Sequence, residues 1–303
     1  MIAGYQHAAY AESLNEFGLP RELPKSGGWV LERKIAETGY ADGAGCYPIF
    51  SCQTWSMLHE DLNELGEDLV ALSLVTDPFG EYDEQYLKDC FKDVVTRFKQ
   101  HYVVDLSRSP DTFVSAHHQR NARKALCALD VEVCANPVDN LDDWKILYGA
   151  LKERHDIRGM AAFSDSSFAK QFAVPGIVVF RALRNSATVG MLLWFVQDDR
   201  AYYHLAAYSE QGYELGASFA LFNDSIRHFT RLGLRWLSLG AGAGVDSDGT
   251  SGLQRFKEGW SNSSRIAYFC GRIFDRRKYH EIVTSRNVPD TKYFPAYRLG
   301  EFQ

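Results

Sequence analysis

The chain has 303 residues, a length that suffices for two domains of ordinary size. Hydrophobic residues make up 46% of the chain, charged residues 24% and aromatic residues 14%, as expected of a globular protein with a well-filled core. The net charge of −6 and the pI of about 5.9 argue against broad nucleic-acid binding, which requires a basic face. No stretch approaches the ~18 consecutive apolar residues of a membrane-spanning helix, and the N-terminus shows no secretory signal.

The cysteine content indicates a reducing compartment. The six cysteines form no Cys-X-X-Cys pair, and no spacing of Cys and His suits a zinc site. Most of them lie among apolar residues, so we expect reduced core cysteines, a cytoplasmic location and no bound metal. They are Cys46, Cys52, Cys90, Cys127, Cys134 and Cys270.

The first half of the chain predicts an N-terminal extension, residues 1–45, followed by an α/β subdomain, residues 46–157. The extension is weakly patterned and predicts only one short helix. Further on, apolar residues at helical spacing alternate with short apolar runs, a pattern typical of helices between strands. The predicted helices span residues 8–17, 55–65, 86–98, 112–129 and 141–154, and the predicted strands span residues 68–75, 102–106 and 131–134.

The predicted helix over residues 112–129 carries the one basic cluster of an acidic chain. Its Arg120 and Arg123 are candidates for binding a phosphate or carboxylate of a substrate, because guanidinium groups pair with such oxyanions. The alternative is a solvated helix face whose opposite side packs through apolar residues. The other polar members of the cluster are His117, His118, Asn121 and Lys124.

The second half predicts an antiparallel meander that leads into a strand–helix–strand unit. Three apolar runs are separated by short polar turns, and a helical pattern follows the third run. Gly233 stands where the C-cap of that helix is expected. The predicted strands span residues 177–183, 188–196, 201–208, 234–239 and 266–274, and the predicted helices span residues 164–172, 213–232 and 276–283.

The turn before the 213–232 helix predicts a site for a phosphate or a carbonyl oxygen. A helix N-terminus presents backbone N–H groups that find no acceptor within the helix and favour negative charge. The small residues Gly216, Ala217 and Ser218 leave these groups accessible. Glu214, in the first turn, is expected to interact with the helix dipole rather than to act as a base.

This unit resembles the central motif of the GNAT acyltransferases, which binds the pyrophosphate of acetyl-CoA. That family prefers Gln or Arg, two free positions, Gly, one free position, and then Gly or Ala. The chain has Tyr213 at the first position, which departs from the pattern, and Gly216 at the fourth. The resemblance implies an acyl-CoA donor bound by Ala206, Tyr208, Gly212, Tyr213, Gly216, Ala217 and Ser218.

The segment that follows a glycine-rich loop, residues 240–252, resembles the Fem group of GNAT-fold proteins, peptidoglycan-bridge aminoacyltransferases and their acetyltransferase-like relatives. That group carries a leucine, two spacers, Phe-Lys and a further aromatic residue, here Leu253, Phe256, Lys257 and Trp260. The resemblance implies an α/β fold with mixed sheets and two GNAT-like subdomains. The first, residues 46–157, is degenerate, and the second, residues 158–303, is the acyltransferase subdomain.

Direct acyl transfer to an amine requires stabilisation of an oxyanion and groups that move protons. Lys257 is a candidate for stabilising negative charge, and Phe256 beside it for contacting substrate. The resemblance also implies that a backbone N–H near residues 206–208 polarises the carbonyl group of the donor.

The predicted strand over residues 201–208 offers two more catalytic candidates, His204 as a proton acceptor and Tyr208. With a period of two, His204 is expected on the same face as Ala206 and Tyr208, and Tyr203 on the opposite face. A histidine there is also compatible with a purely structural role in the core.

Three functions remain open. The first is an N-acyltransferase that moves an acyl group, expected to be acetyl, from acyl-CoA to an amine of a small molecule, sugar or peptide. The second is an aminoacyltransferase that uses charged tRNA, and the third is a non-catalytic GNAT-fold binding module. The net negative charge of the chain disfavours charged tRNA as the donor, whereas the Fem-like segment favours it. We favour acyl-CoA.

Overall fold

The computed structural model describes residues 2–66, 68–242 and 252–301. These residues divide into two compact units, each assembled from separated stretches of chain. Unit A comprises the described residues within 5–98, 158–170 and 266–303, and unit B those within 1–4, 99–157 and 171–265. Both units contain helices and strands of a mixed sheet, which confirms the predicted α/β fold with mixed sheets.

Unit A contains a five-stranded part of the sheet with helices around it. Its strands are β1 Leu19–Leu23, β2 Gly28–Lys34, β3 Ala41–Gly45, β4 Ala71–Val75 and β11 Ser263–Ile273, in the order β1-β2-β3-β4-β11. β3 and β4 are parallel, and the other neighbours are antiparallel. The helices are α1 Ala8–Ser13, α2 Leu58–Leu65, α3 Glu84–Cys90, α7 Asp165–Gln171 and α11 Arg276–Ser285.

Unit B contains the predicted meander and the strand–helix–strand unit. Its strands are β5 Val94–Asp105, β6 Asp130–Val133, β7 Ile177–Arg184, β8 Ala187–Gln197, β9 Arg200–Tyr208 and β10 Trp236–Ser238, in the order β5-β10-β9-β8-β7-β6. Only β9 and β10 are parallel neighbours among these strands. The helices are α4 Pro110–Phe113, α5 Ala116–Leu126, α6 Leu141–His155, α8 Glu210–Glu214, α9 Ala217–Arg231 and α10 Gly252–Glu258.

Helix α9 supplies much of the core of unit B. Its buried Phe222, Ile226 and Phe229 recur at helical spacing and pack against the sheet. The ring of Phe229 lies 5.2 Å from that of the buried Trp194 on β8. Full burial of one such side chain contributes roughly 1.5–3 kcal/mol, so the amphipathic face fixes α9 firmly on the sheet.

The units are discontinuous in sequence, whereas the sequence analysis placed continuous subdomains at residues 46–157 and 158–303. The difference arises because strands from distant parts of the chain pair with each other. Leu237 of β10, for example, pairs with Val104 of β5, more than a hundred residues earlier. Local patterns carry no information about such partners.

Residues 5–45 of the weakly patterned N-terminal extension are a structured part of unit A. Residues 1–45 contribute α1 and three strands, of which the sequence analysis predicted only the helix. Alternation is obscured in β3 because its glycines are packing positions. A β-carbon at Gly43 would lie 2.8 Å from Cδ1 of Leu72, a separation that real contacts do not show. The chain uses glycine there to bring β3 close to β4.

The helix predicted over residues 86–98 is wrong in its second half. Helix α3 ends at Cys90, and β5 already begins at Val94. The Asp93 carboxylate accepts a hydrogen bond from the backbone N–H of Ile273 at 2.7 Å, which ties the end of α3 to β11. Beyond this point Val94 and Val95 favour a strand, because their branched side chains fit a pleated sheet.

The cysteines and the helix lengths bear on the predictions made from composition. All six cysteines are unpaired thiols, and five of them are buried, whereas Cys127 is exposed. Within residues 2–66, 68–242 and 252–301, no helix has both the length and the apolar character needed to cross a membrane.

Candidate active site

Two glycines set the limits of the helix between β9 and β10. Gly216 has φ of +70°, a left-handed conformation that glycine adopts at low cost, and it separates α8 from α9. The helix predicted over residues 213–232 is therefore wrong at its start, because it begins only at Ala217. Gly233, with φ of +76°, follows the last turn of α9 as predicted.

Strand β9 contains a β-bulge at His204. Leu205 pairs with Leu193 of β8, and Tyr203 pairs with the next residue, Trp194. The Cα pairing thus passes over His204, and the register changes at this point. A bulge of this kind leaves one residue outside the ladder and bends the strand.

The bulge overturns the predicted face of His204. Ala206 and Tyr208 belong to the same apolar cluster as Tyr203, packed beneath α9. The His204 ring packs on the other face of the sheet, with its centroid 5.0 Å from that of Phe195. Burial lowers the pKa of His204 to about 3, so its imidazole is neutral at physiological pH.

Strands β9 and β10 part just before the bulge. Within the described residues, β10 pairs with β9 only along Arg200–Tyr202. Beyond β10 the chain continues along β5, where the N–H of Leu239 donates to the carbonyl oxygen of Tyr102 at 2.8 Å. Along residues 205–208, the edge of β9 that faces away from β8 thus has no described strand beside it. We call the space next to this edge the β9–β10 gap.

Lys257 lies at the β9–β10 gap. It is only 4% exposed, and its Nζ donates a hydrogen bond of 2.6 Å to the carbonyl oxygen of Ala241, just beyond β10. The same Nζ lies 5.3 Å from the ring centroid of Tyr203 on β9. Burial, assisted by the charge of Lys99, lowers the pKa of Lys257 to about 7. Such an ammonium group exchanges its proton near neutral pH.

Strand β5 brings two further basic side chains near Lys257. Lys99 and His101 are two residues apart and therefore share one face of the strand. Nδ1 of His101 lies 3.2 Å from Oγ of Ser238, and Nζ of Lys99 donates to the carbonyl oxygen of Gly242 at 3.5 Å. Burial lowers the pKa of His101 to about 3, with the charges of Lys257 and Lys99 as lesser causes. Neither residue was predicted from the sequence, because the helical pattern extends to residue 98.

His118 joins α10 to α5 and so positions the turn that carries Lys257. Its Nε2 lies 3.0 Å from the carbonyl oxygen of Phe256, and its Nδ1 lies 2.7 Å from Oγ of Ser115. The ring meets Trp260 edge-on at a centroid distance of 5.0 Å. Burial lowers the pKa of His118, which favours the neutral ring. From the sequence, His118 was predicted only to belong to the basic cluster.

A pocket of about 680 Å³ lies between α5, α9 and α10. Its walls include the rings of His117, His118, Phe219 and Phe256, together with the exposed Arg255. The rings of Phe219 and Phe256 are 5.2 Å apart. Ser115 and Glu258 also line this pocket, and a pocket that combines aromatic rings with polar groups is typical of small-molecule sites. The pocket therefore offers space for a ring-containing group of a substrate.

The loop between β9 and α9 uses several of its own N–H groups. The N–H of Gly212 donates to Oγ of Ser209 at 3.1 Å, and that of Tyr213 donates to the carbonyl oxygen of the same serine at 3.0 Å. The N–H of Gly216 donates to Tyr213 at 3.2 Å. Gly212 also has a packing role, because a β-carbon there would overlap the carbonyl oxygen of Val189.

The N-terminus of α9 retains unused donors. Ala217 and Ser218 begin this helix of 15 residues, and their N–H groups have no acceptor among the described residues. A group with negative charge is favoured at such a position. Two exposed carboxylates, Glu210 and Glu214, lie in the preceding α8 and act against that preference.

Tyr208 is the last residue of β9, and its side chain lies on the same face of the sheet as that of Tyr203. Its ring contacts that of Tyr213 at 5.3 Å, and burial raises the pKa of Tyr208 well above its usual value. The phenol therefore keeps its proton. The Tyr213 side chain is exposed, and the guanidinium carbon of Arg154 lies 4.4 Å from its ring centroid.

Arg120 and Arg123 lie on the exposed face of α5 and do not line the 680 Å³ pocket. Nη2 of Arg120 lies 3.5 Å from Nδ1 of His117, and Nη2 of Arg123 donates to Oε1 of Gln119 at 3.3 Å. Their recorded partners are thus on α5 itself. Within the described residues, no group of three His, Cys, Asp or Glu side chains can hold a metal ion.

Known proteins share a family model and the fold with this chain. Residues 115–258 match the family model described as "Acetyltransferase (GNAT) domain". No curated protein matches the sequence. The fold is similar to that of FemX, at 14% identity over 91% of this chain and 93% of that chain, with a TM-score of 0.66. It is also similar to L-PGS from Bacillus licheniformis, at 14% identity over 96% and 100% of the two chains, with a TM-score of 0.59.

A third similar structure is the C-terminal domain of a putative lysylphosphatidylglycerol synthetase from Agrobacterium fabrum. The identity is 14% over 94% of this chain and 92% of that chain, and the TM-score is 0.60. At such identities these likenesses concern the fold.

The family match assigns a GNAT acetyltransferase domain to residues 115–258, and the bulged strand β9 and Lys257 both lie within it. The fold resembles that of FemX over 91% of the chain. The predicted resemblance to GNAT and Fem proteins is confirmed.

Proposed function

We propose that the protein is an N-acyltransferase that moves an acyl group, in the simplest case acetyl, from acyl-CoA to an amine without an acyl-enzyme. The observation that carries this proposal is the buried Lys257 at the β9–β10 gap, where the edge of β9 has no described strand beside it. A strand edge and a buried ammonium group, facing the same space, are suited to binding a carbonyl group that becomes an oxyanion.

The donor carbonyl would lie in the β9–β10 gap. An N–H on the open edge of residues 205–208 polarises its oxygen, since alternate N–H groups of a strand point towards each edge. The ammonium of Lys257 lies on the other side of the gap and stabilises the same oxygen as negative charge develops. Both donors are held by the fold before substrate binds, so little reorganisation is needed.

The reaction then balances without another reactant. The neutral amine attacks the thioester carbon, a C–N bond forms, and the C–S bond breaks as the tetrahedral intermediate collapses. The amine loses one proton, and the CoA sulfur gains one. Lys257 is suited to deliver a proton to the sulfur because its pKa of about 7 lies near the operating pH.

The phosphates of acyl-CoA would bind at the N-terminus of α9. The N–H groups of Ala217 and Ser218 are the unused donors there, and the left-handed Gly216 places no side chain in front of them. The 680 Å³ pocket on the other side of Phe219 has the aromatic lining to take a ring, of the donor or of the acceptor.

A second candidate donor is an aminoacyl-tRNA. Two observations favour it: the carboxylates of Glu210 and Glu214 act against phosphates beside α9, and α5 presents exposed cations instead. The exposed Arg120, Arg123 and Lys124 on α5 are suited to a phosphate backbone. Chemistry at the gap would be the same, with an ester in place of the thioester.

The test compares both donors on one protein preparation. The purified chain is incubated with radiolabelled acetyl-CoA and a panel of amino sugars, amino acids and polyamines, and in parallel with total tRNA charged with labelled amino acids. Label transfer from acetyl-CoA, with release of one thiol per amide, supports the proposal. Transfer from tRNA alone establishes the second candidate. If neither donor binds or reacts, the acyltransferase proposal is rejected for both.

A further inference from the structure

Unit A contains a polar pocket of its own, with a volume of about 370 Å³. It lies where the end of α2, the α3–β5 turn, the end of β11 and the start of α11 meet. No part of the proposed acyl transfer uses it. The side chains that define its chemistry are Asn63, Lys92, Asp93, Arg272, Phe274 and Arg276.

Asp93 is the one carboxylate among the described residues that line this pocket, and each of its oxygens accepts a hydrogen bond. Oδ2 of Asp93 accepts the backbone N–H of Ile273 at 2.7 Å, and its Oδ1 accepts Nη2 of Arg276 at 2.7 Å. The ion pair with Arg276 is its single recorded salt bridge. Asp93 therefore neutralises at most one of the cations that line the pocket.

Arg272 is held in place by neutral groups. Its Nη2 donates to Oδ1 of Asn63 at 2.7 Å, its Nη1 donates to the carbonyl oxygen of Cys90 at 3.3 Å, and its guanidinium carbon lies 5.2 Å from the ring centroid of Phe274. These contacts use two of its five N–H groups, and no salt bridge joins Arg272 to a carboxylate among the described residues. Burial lowers the pKa of Arg272, and the nearby Cys90 and Asp93 act in the opposite direction.

Lys92 adds a third cation. It is exposed, and no salt bridge to it is recorded among the described residues. Three cations and one carboxylate leave a formal charge of +2 on the lining. This charge matches an oxyanion that carries two negative charges, and a fixed guanidinium fork suits the tetrahedral oxygens of phosphate.

We propose that this pocket binds a phosphate monoester dianion carried by a soluble small molecule. Arg272 and Arg276 contact the phosphate oxygens through their forks, and Lys92 pairs with them at the pocket mouth. At ~30 Å³ per water molecule the pocket holds about a dozen waters, so a phosphate and part of a sugar-sized group fit. The site lies wholly in unit A and does not depend on the proposed acyl transfer.

The test measures the melting temperature in phosphate and in chloride buffers of equal ionic strength, and then titrates inorganic phosphate and glucose 6-phosphate by calorimetry. We expect both phosphates to bind the parent and to raise its melting temperature. Lys92→Gln and Arg272→Gln are each expected to weaken binding on the order of tenfold. Arg277→Gln, which removes the neighbouring exposed cation outside the pocket, is expected to leave binding unchanged.

Lys92 is exposed, so Lys92→Gln keeps the test informative even if Arg272→Gln does not fold. Vesicles containing phosphatidylglycerol form a further arm, because a lipid headgroup also presents a phosphate. Binding to vesicles alone overturns the proposal of a soluble ligand. Phosphate binding that is equal in the parent, Lys92→Gln and Arg277→Gln overturns the site.

Discussion

The backbone of Gly259 packs directly against the imidazole ring of His118. A β-carbon on Gly259 would lie 2.5 Å from Nε2 of that ring and closer still to Cε1. The close approach lets His118 reach the carbonyl oxygen of Phe256 and hold the end of α10, where Lys257 lies.

We expect Gly259→Ala to destabilise the protein by about 1–3 kcal/mol, because the ring of His118 must move and lose its hydrogen bond to Phe256. Urea unfolding monitored by circular dichroism measures the effect. The matched control is Gly149→Ala in α6, where a β-carbon meets no atom within 4 Å and alanine should stabilise the helix slightly. Equal losses in both variants would contradict the role assigned to His118.

Lys257→Met is expected to lower turnover on the order of 10²–10³-fold while donor binding changes little, the effect of losing one oxyanion donor. Methionine keeps much of the length of the side chain and removes the charge. Single-turnover transfer and calorimetric donor binding are measured on the same preparation. Lys292→Met, at an exposed lysine of unit A, controls for charge removal. If binding falls and the chemical step does not, Lys257 contacts the donor phosphates instead.

The same variant is expected to change the pH dependence of stability. The pKa of Lys257 is about 7 in the folded protein and about 10.5 when unfolded, so the unfolded chain binds more protons between these values. Parent stability therefore rises with pH across this window, and the cost of burying the ammonium is fully present below pH 7. The free-energy cost of burying this ammonium group is at most on the order of 5 kcal/mol.

Lys257→Met removes that term, so its stability relative to the parent should be highest near pH 6 and should decline towards pH 10. Urea unfolding of parent and variant at several pH values measures this difference. A difference that stays constant from pH 6 to pH 10 would show that Lys257 keeps an ordinary pKa.

Gly216→Glu is expected to abolish donor binding if the phosphates bind at the N-terminus of α9, because it places a carboxylate in front of Ala217 and Ser218. Gly233→Glu is the matched control. Both glycines have positive φ, +70° and +76°, and lie at opposite ends of the same helix, so the backbone strain is similar. Calorimetry with acetyl-CoA reports the difference. Equal affinities in the two variants would place the donor elsewhere.

Asp42→Asn is expected to destabilise unit A by about 3–5 kcal/mol, because it removes the charge that pairs with a buried guanidinium. Asp42 is fully buried and accepts hydrogen bonds from Nε and Nη2 of Arg298 at 2.9 and 2.8 Å. Glu301→Gln, at the more exposed end of the same network, is expected to cost less than about 1 kcal/mol. Thermal unfolding compares the two, and similar losses would contradict the burial argument.

The sequence alone determined the elements whose signals are local. The meander, α9 with its apolar face and the closing Gly233 follow from patterns within some twenty residues, because amphipathic spacing and capping act over one or two turns. The order of Leu253, Phe256, Lys257 and Trp260 identified the Fem-like segment through family resemblance, and the family match and the similar folds agree with it.

Only the tertiary structure decided which side chains meet at the β9–β10 gap. A period of two predicts the face of a strand residue until a bulge intervenes, and the bulge at His204 returned Tyr208 to the face of Tyr203. The approach of Lys99 and His101 to Lys257 depends on the pairing of β5 with β10. Pairing between strands so distant in sequence is selected by packing of the whole unit, which no local pattern records.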